Sequence, residues 1–145
     1  MRFVARVSAA AVAAAFYANA FASPAGADIT GLWATGSHDG RVLIYACGAA
    51  LCGKVMDSAE ICASPDRRDE RNANPALRSR RLKGLVVLSG FTGGPTQWKG
   101  GPVYDPETGD SASNGYIELK PDGRLEIKGC VVFFCRTRMW TRVRT

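Results

Sequence analysis

Tyr116-Ile117-Glu118-Leu119-Lys120-Pro121-Asp122-Gly123-Arg124-Leu125-Glu126-Ile127-Lys128 decides the fold class. Ile117 and Leu119 alternate with Tyr116, Glu118 and Lys120, which gives one apolar and one polar face, the period-two pattern of a half-buried strand. Pro121-Asp122-Gly123 is a turn by composition. Leu125 and Ile127 then resume the inward face, opposite Glu126 and Lys128. The stretch reads as an antiparallel β-hairpin with one buried side.

The same alternation recurs outward from that hairpin at short intervals. Thr30 to Thr35 is an apolar strand ended by Gly36-Ser37-His38-Asp39-Gly40, and Arg41 to Cys47 follows with Val42, Ile44 and Ala46 on one face. Gly48 to Leu51 turns the chain into a third strand, Cys52 to Met56. Asp57 to Arg81 is polar and reads as a long loop with one helical turn near Pro75-Ala76-Leu77. Leu82 to Phe91, the most apolar stretch, reads as a fourth strand buried on both faces. Gln97 to Tyr104 is the fifth, and Asp105-Pro106-Glu107-Thr108-Gly109 is its turn. The last strand, Arg136 to Val143, sets Arg136, Arg138, Trp140 and Arg142 against Thr137, Met139, Thr141 and Val143.

A chain of 145 residues with 16 Gly and 7 Pro suits one turn-rich domain. About eight antiparallel strands joined in order make an all-β up-and-down barrel, because only closure removes the open sheet edges; a sandwich is the runner-up. An eight-stranded barrel is either filled by its own side chains or holds one small ligand.

The first residues stand apart from this pattern. Arg2 and Arg6 flank the start of an apolar Ala-rich run, Val7 to Phe16, and Ala20-Phe21-Ala22 is a small-x-small cleavage pattern before Ser23. Residues 1–22 read as a secretory signal peptide and 28–145 as the barrel domain. The apolar run falls short of the roughly 20 residues that span a bilayer, so no transmembrane segment is expected after cleavage. No cysteine follows the cleavage pattern to carry a lipid. The expected destination is periplasmic or secreted. Cleavage removes two Arg from a net charge of +6, and the mildly basic remainder gives no reason to expect nucleic acid as a partner.

Export decides how the five cysteines are read. Cys47-x4-Cys52 and Cys130-x4-Cys135 have a spacing that zinc ligands also use, but an oxidising compartment favours disulfides. Successive turns of an up-and-down barrel alternate between its two rims. The two cysteine turns therefore fall at opposite rims, beyond the limit of about 7 Å between bridged Cα atoms. Cys47–Cys52 and Cys130–Cys135 are the expected bridges, with Cys62 free. Cys62 shares a rim with the C-terminal pair, so Cys62–Cys130 or Cys62–Cys135 is the rival pairing.

Gly31-Leu32-Trp33 resembles the G-x-W signature of lipocalins and other calycins. Further motifs are Ile44-Tyr45-Ala46-Cys47-Gly48 with Leu51-Cys52-Gly53, Asn74-Pro75-Ala76-Leu77-Arg78-Ser79-Arg80, Trp98-Lys99-Gly100-Gly101 with Tyr104-Asp105-Pro106, and Trp140-Thr141-Arg142-Val143. Together they are similar to the exported bacterial family known as domain of unknown function 2147 (DUF2147), with Ala46 and Arg81 standing where a proline is more usual. The resemblance implies a lipocalin-like barrel with no established activity. The G-x-W resemblance to lipocalins and other calycins implies that Trp33 plugs one end beneath a basic side chain of the last strand, Arg142 before Arg138.

Catalytic patterns fail on composition. His38, Asp57 and Ser111 run in the order of a chymotrypsin-like triad, but the chain is far too short for two barrels, and Ser111 lacks the glycines that shape an oxyanion hole. A single histidine also removes most metal sites, and no cofactor or metal is expected. Two clusters remain. Arg78, Arg80, Arg81 and Lys83, with Trp98 and Tyr104 as an aromatic wall, suit an anionic head group. The plainer reading, preferred of the two, is that Arg78 and Arg80 tie the loop to carbonyls or to Asp66 and Asp69. Val131-Val132-Phe133-Phe134 is expected to fold inward as a barrel cap, with an exposed apolar patch as the alternative. The sequence as a whole points to a non-catalytic exported barrel that binds a small apolar or amphipathic molecule, with Arg78, Arg80, Trp98 and Tyr104 as tentative ligand contacts. The alternative is a solid structural or protein-interaction module of the cell envelope. A carrier should show a lumen lined by small or apolar residues and open at one end, whereas a solid barrel should show large side chains meeting at its axis.

Overall fold

The computed structural model describes residues 28–144; the signal-peptide reading lies outside the described residues. The elements in order are β1 (Gly31–Ala34), β2 (Arg41–Cys47), β3 (Ala50–Asp57), α1 (Ala59–Ala63), a 3-10 turn (Pro75–Leu77), β4 (Val86–Gly93), β5 (Gln97–Gly100), β6 (Val103–Asp105), β7 (Asp110–Ala112), β8 (Asn114–Leu119), β9 (Leu125–Val131) and β10 (Phe134–Arg142). β5 pairs with β8 and β6 with β7 in one continuous register, from Gln97↔Glu118 to Asp105↔Asp110. They are two halves of a single hairpin, broken where Pro102 lacks an N–H to donate. Counted this way the ring has eight strands. Each pairs antiparallel with its neighbours in the chain, β3 meets β4 at Leu51↔Phe91, and β1 closes on β10 at Trp33↔Arg142. The up-and-down barrel is the architecture, not the sandwich.

The opening hairpin behaves as its alternation requires. Ile117, Leu125 and Ile127 are buried and Tyr116 is exposed, with Ile117↔Ile127 facing each other across the ladder. The core gathers Trp33, Ile44, Leu88, Phe91, Ile117 and Leu125 within the half of the barrel nearer the chain ends. Turns alternate between two rims. The β1–β2, β3–β4, β6–β7 and β9–β10 connections form one, and the β2–β3, β4–β5 and β8–β9 turns share the other with the chain ends.

Both local disulfides are present, with Cα atoms 5.8 Å apart in Cys47–Cys52 and 4.0 Å apart in Cys130–Cys135. They lie at opposite rims, and Cys62 is free and exposed.

Three expectations are corrected. Leu82 to Leu85 is not part of the fourth strand: Gly84 adopts φ +84, and Leu85 N–H donates to the Leu82 carbonyl in a turn that buries Leu82 and Leu85 while leaving Val86 exposed. The polar stretch after β3 also holds a short helix, α1, whose Ser58 hydroxyl accepts from Ile61 N–H at 3.3 Å; five residues are too few to show a helical period. Finally, Val131 to Phe134 does not cap the barrel. Cys135 pairs directly with Cys130 and Phe134 with Val131, so the tip is a two-residue turn with no slack to fold back, and its side chains stand in solvent.

Candidate binding cavity at the open rim

One end of the barrel is closed by Trp33, which is fully buried and donates its indole N–H to the Ile29 carbonyl at 2.9 Å. Because Trp33 and Arg142 are register partners, the last strand delivers a guanidinium over the ring, 4.4 Å from its centroid. Arg142 Nη1 and Nη2 donate to the carbonyls of Thr30 and Asp28, at 2.9 and 2.7 Å, and pin the incoming chain across the plug. Gly31 is required here. Its φ is +122, and a Cβ would sit 3.1 Å from Arg142 Nη1. Arg138 does not share this role; it faces Asp105 at 3.6 Å at the opposite end.

Above the plug the barrel is hollow. A cavity of about 370 Å³ opens at the other rim, within the roughly 300–1,000 Å³ usual for small-molecule sites. Val42, Val55, Val87, Val103, Ile127 and Trp140 supply an apolar wall, and Ala112 and Gly129 pack against each other in it, so closely that a Cβ on Gly129 would come within 2.9 Å of the Ala112 Cβ. One face of β10 runs the whole axis: Arg136 and Arg138 stand at the mouth, Trp140 lines the cavity, and Arg142 covers the plug.

The mouth is ringed by paired charges from elements remote in sequence. Arg41 meets Asp57 at 2.5 Å, Arg71 meets Glu60 at 3.0 Å, Arg136 meets Asp110 at 2.5 Å, and Arg138 meets Asp105 at 3.6 Å. The Arg71 hydrogen bonds hold the Glu60 carboxyl below its ordinary range, and the Asp57 hydrogen bond raises Arg41 in turn. His38 and Asp57 line the same mouth without forming a triad. Asp57 is held by Arg41, while His38 Nδ1 faces Glu107 at 3.3 Å.

The four tentative contacts are not brought together. Tyr104 lines the cavity, but Trp98 is buried towards the closed end, beside Gly94. Arg78 Nε donates to the Asn72 carbonyl at 2.8 Å, and Arg80 Nη2 donates to Asp69 at 2.7 Å. Both guanidiniums thus tie down the loop, and neither lines the cavity. Asp69 is the hub: its side chain is fully buried and also accepts from Tyr104 O–H and from Asn72 Nδ2 at 2.9 Å. Burial first, and then the Asp69 carboxylate, push the Tyr104 phenol up to about 12. The sequence reading missed the mouth cations Arg41, Arg71 and Arg136. No local pattern marks them, since only barrel closure makes them neighbours. The inward face shared by Arg136, Arg138 and Trp140 was the available signal.

Comparison with known proteins agrees with this architecture. A solved structure, protein HP1028 from Helicobacter pylori, described as belonging to the lipocalin family, superposes with a TM-score of 0.68 at 22% sequence identity, over 81% of this chain and 84% of that one. Among curated protein sequences none matches this chain. Residues 31–142, from the start of β1 to the end of β10, match the family described as an uncharacterized protein conserved in bacteria, and the chain belongs to that family, DUF2147.

Proposed function

We propose that this protein is an exported, non-catalytic carrier that takes a small apolar or amphipathic molecule into its lumen through the open rim. The observation that carries the reading is the apolar cavity itself. A solid barrel would bring large side chains together at its axis, and here the residues of the apolar wall leave about 370 Å³ between them. The two disulfides fit an oxidising compartment outside the cytoplasm, and no helix among the described residues is long and apolar enough to cross a membrane. An acyl or ring system would occupy the apolar wall, with Tyr104 beside it. A polar head would stay at the mouth. Of the mouth cations Arg138 is the least committed, its carboxylate partner being the most distant at 3.6 Å, so it is the group to receive an anionic head.

Native mass spectrometry of protein recovered from its own periplasm tests the reading, alongside titration of stripped protein with a fluorescent apolar probe. A copurified mass, or saturable probe uptake that Val55→Phe suppresses by filling the cavity, supports it. Protein that leaves the cell empty and takes up no probe is a solid module, and the carrier reading fails. Arg138→Gln should weaken fatty-acid competition for the probe and leave competition by a neutral alcohol of equal chain length unchanged.

A further inference from the structure

The β9–β10 hairpin tip carries an apolar group whose apex, Val132 and Phe133, serves neither the barrel nor the cavity. Val131, Val132, Phe133 and Phe134 are 52, 81, 92 and 83% exposed, in a protein that otherwise buries its large apolar side chains well. The tip is held rigidly, because Cys130–Cys135 staples the strands immediately below it. Val132 has φ +54, a left-handed conformation that a two-residue hairpin normally gives to Asn or Gly and that strains a β-branched side chain. An apolar side chain is therefore displayed at the apex despite its backbone cost. We propose that this tip inserts into the interfacial layer of a phospholipid membrane and sets the open rim of the barrel against the bilayer.

Two observations choose a membrane over a protein. The tip is convex and presents on the order of 500 Å², taking each ring at roughly 200 Å². That is below the roughly 800 Å² per partner of a stable protein interface, whereas insertion into lipid requires only depth of apolar surface. Its position is also apt, since Val131 and Phe134 border the cavity mouth, so that docking would bring lipid to the entrance. The inference stands on the exposed tip and does not require the lumen to hold a ligand.

Flotation of the mature protein with vesicles tests it, using phosphatidylcholine alone and phosphatidylcholine mixed with phosphatidylglycerol. The wild type should float with both vesicles, and Phe133→Ser should lower the partition coefficient about tenfold, with a similar further loss for Phe134→Ser. Phe133 lies outside both the core and the cavity lining, so Phe133→Ser alone should leave the thermal midpoint and lumenal probe uptake unchanged, which separates this outcome from failure of the carrier reading. In a second measurement, Phe133→Trp should add a blue-shifted emission component that brominated phospholipid quenches. Wild-type protein that floats with neither vesicle, a double variant that floats as well as wild type, or an added indole emission that brominated lipid leaves unquenched would each overturn the proposal. Concentration-dependent dimers abolished by Phe133→Ser, without flotation, would assign the tip to a second copy of the chain instead.

Discussion

Removing the Arg142 side chain tests whether the closed end is held as its geometry indicates. The guanidinium stacks 4.4 Å from the Trp33 centroid and donates separately to the Thr30 and Asp28 carbonyls. An exposed cation–π pair contributes about 0.5–1 kcal/mol. Each hydrogen bond, discounted for competing water, adds about 0.5–1 kcal/mol. Arg142→Ala should therefore cost about 1.5–3 kcal/mol of unfolding free energy, with an unchanged denaturant slope because the surface buried hardly differs. Arg142→Lys is the sharper variant. A lysine keeps the charge over the ring but cannot fork to two carbonyls, so it should recover about half of the loss. Urea unfolding followed by Trp fluorescence reads both, since Trp33 itself loses the stacked cation. If Arg142→Ala costs less than about 0.5 kcal/mol, the stack and the fork are ornaments of the rim and the plug stands without them. If Arg142→Lys equals wild type, the charge matters and the fork does not.

Trp33→Ala removes a fully buried indole and should cost about 3–5 kcal/mol in the same unfolding assay; a loss below about 1 kcal/mol would refute a core plug. Tyr104 keeps its proton to about 12 in the folded state against about 10 in the unfolded chain. The folded state thus binds the extra proton between these values, and the stability this contributes is full below pH 10 and lost as pH rises towards 12. Wild type should accordingly lose on the order of 1 kcal/mol more than Tyr104→Phe over that interval in alkaline unfolding, and parallel curves would argue against the Asp69 contact. Peptide mapping without reductant should recover Cys47–Cys52 and Cys130–Cys135 with Cys62 alkylated; a peptide joining Cys62 to either C-terminal cysteine would contradict the observed pairing.

What was legible in the sequence is what repeats with period two. Ile117, Leu125 and Ile127 announce the inward face, and the Pro121-Asp122-Gly123 and Asp105-to-Gly109 turns fix the order of strands; sequential pairing and the cysteine turns then fix the rims. The Gly31-Leu32-Trp33 start was legible for a different reason, since the resemblance to the G-x-W signature of lipocalins and other calycins supplied both the plug and its cation. Leu82 to Leu85 misled because apolarity reports burial, not conformation: both leucines are buried, but Gly84 carries a turn. Val131 to Phe134 misled in the opposite sense, because a two-residue turn between paired cysteines has no geometry by which to bury what it carries. The contiguous run Arg78 to Lys83 drew attention as an anion site, yet Arg78 and Arg80 direct their donors to Asn72 and Asp69. The mouth cations are spread from residue 41 to residue 138, and no window of sequence contains them together.

These outcomes share a physical origin in how the barrel divides its labour along the axis. At the closed end every group is committed: Trp33, Phe91 and Leu125 are buried completely, and Arg142 directs its donors to backbone carbonyls. Such groups reveal themselves through local pattern, because each satisfies a requirement of its own strand. At the open end the side chains are held by one another across strands, as in Arg41–Asp57, Arg71–Glu60 and Arg136–Asp110. Exposed pairs of this kind contribute little to stability, so folding places few demands on which residues occupy them. The same end carries the apolar cavity and the unburied Val131–Phe134 tip, two features that cost the fold apolar contact and return none to it. Substitutions at the two ends should therefore separate cleanly, those around Trp33 moving the unfolding midpoint and those around Arg138 and Phe133 moving only what the protein binds.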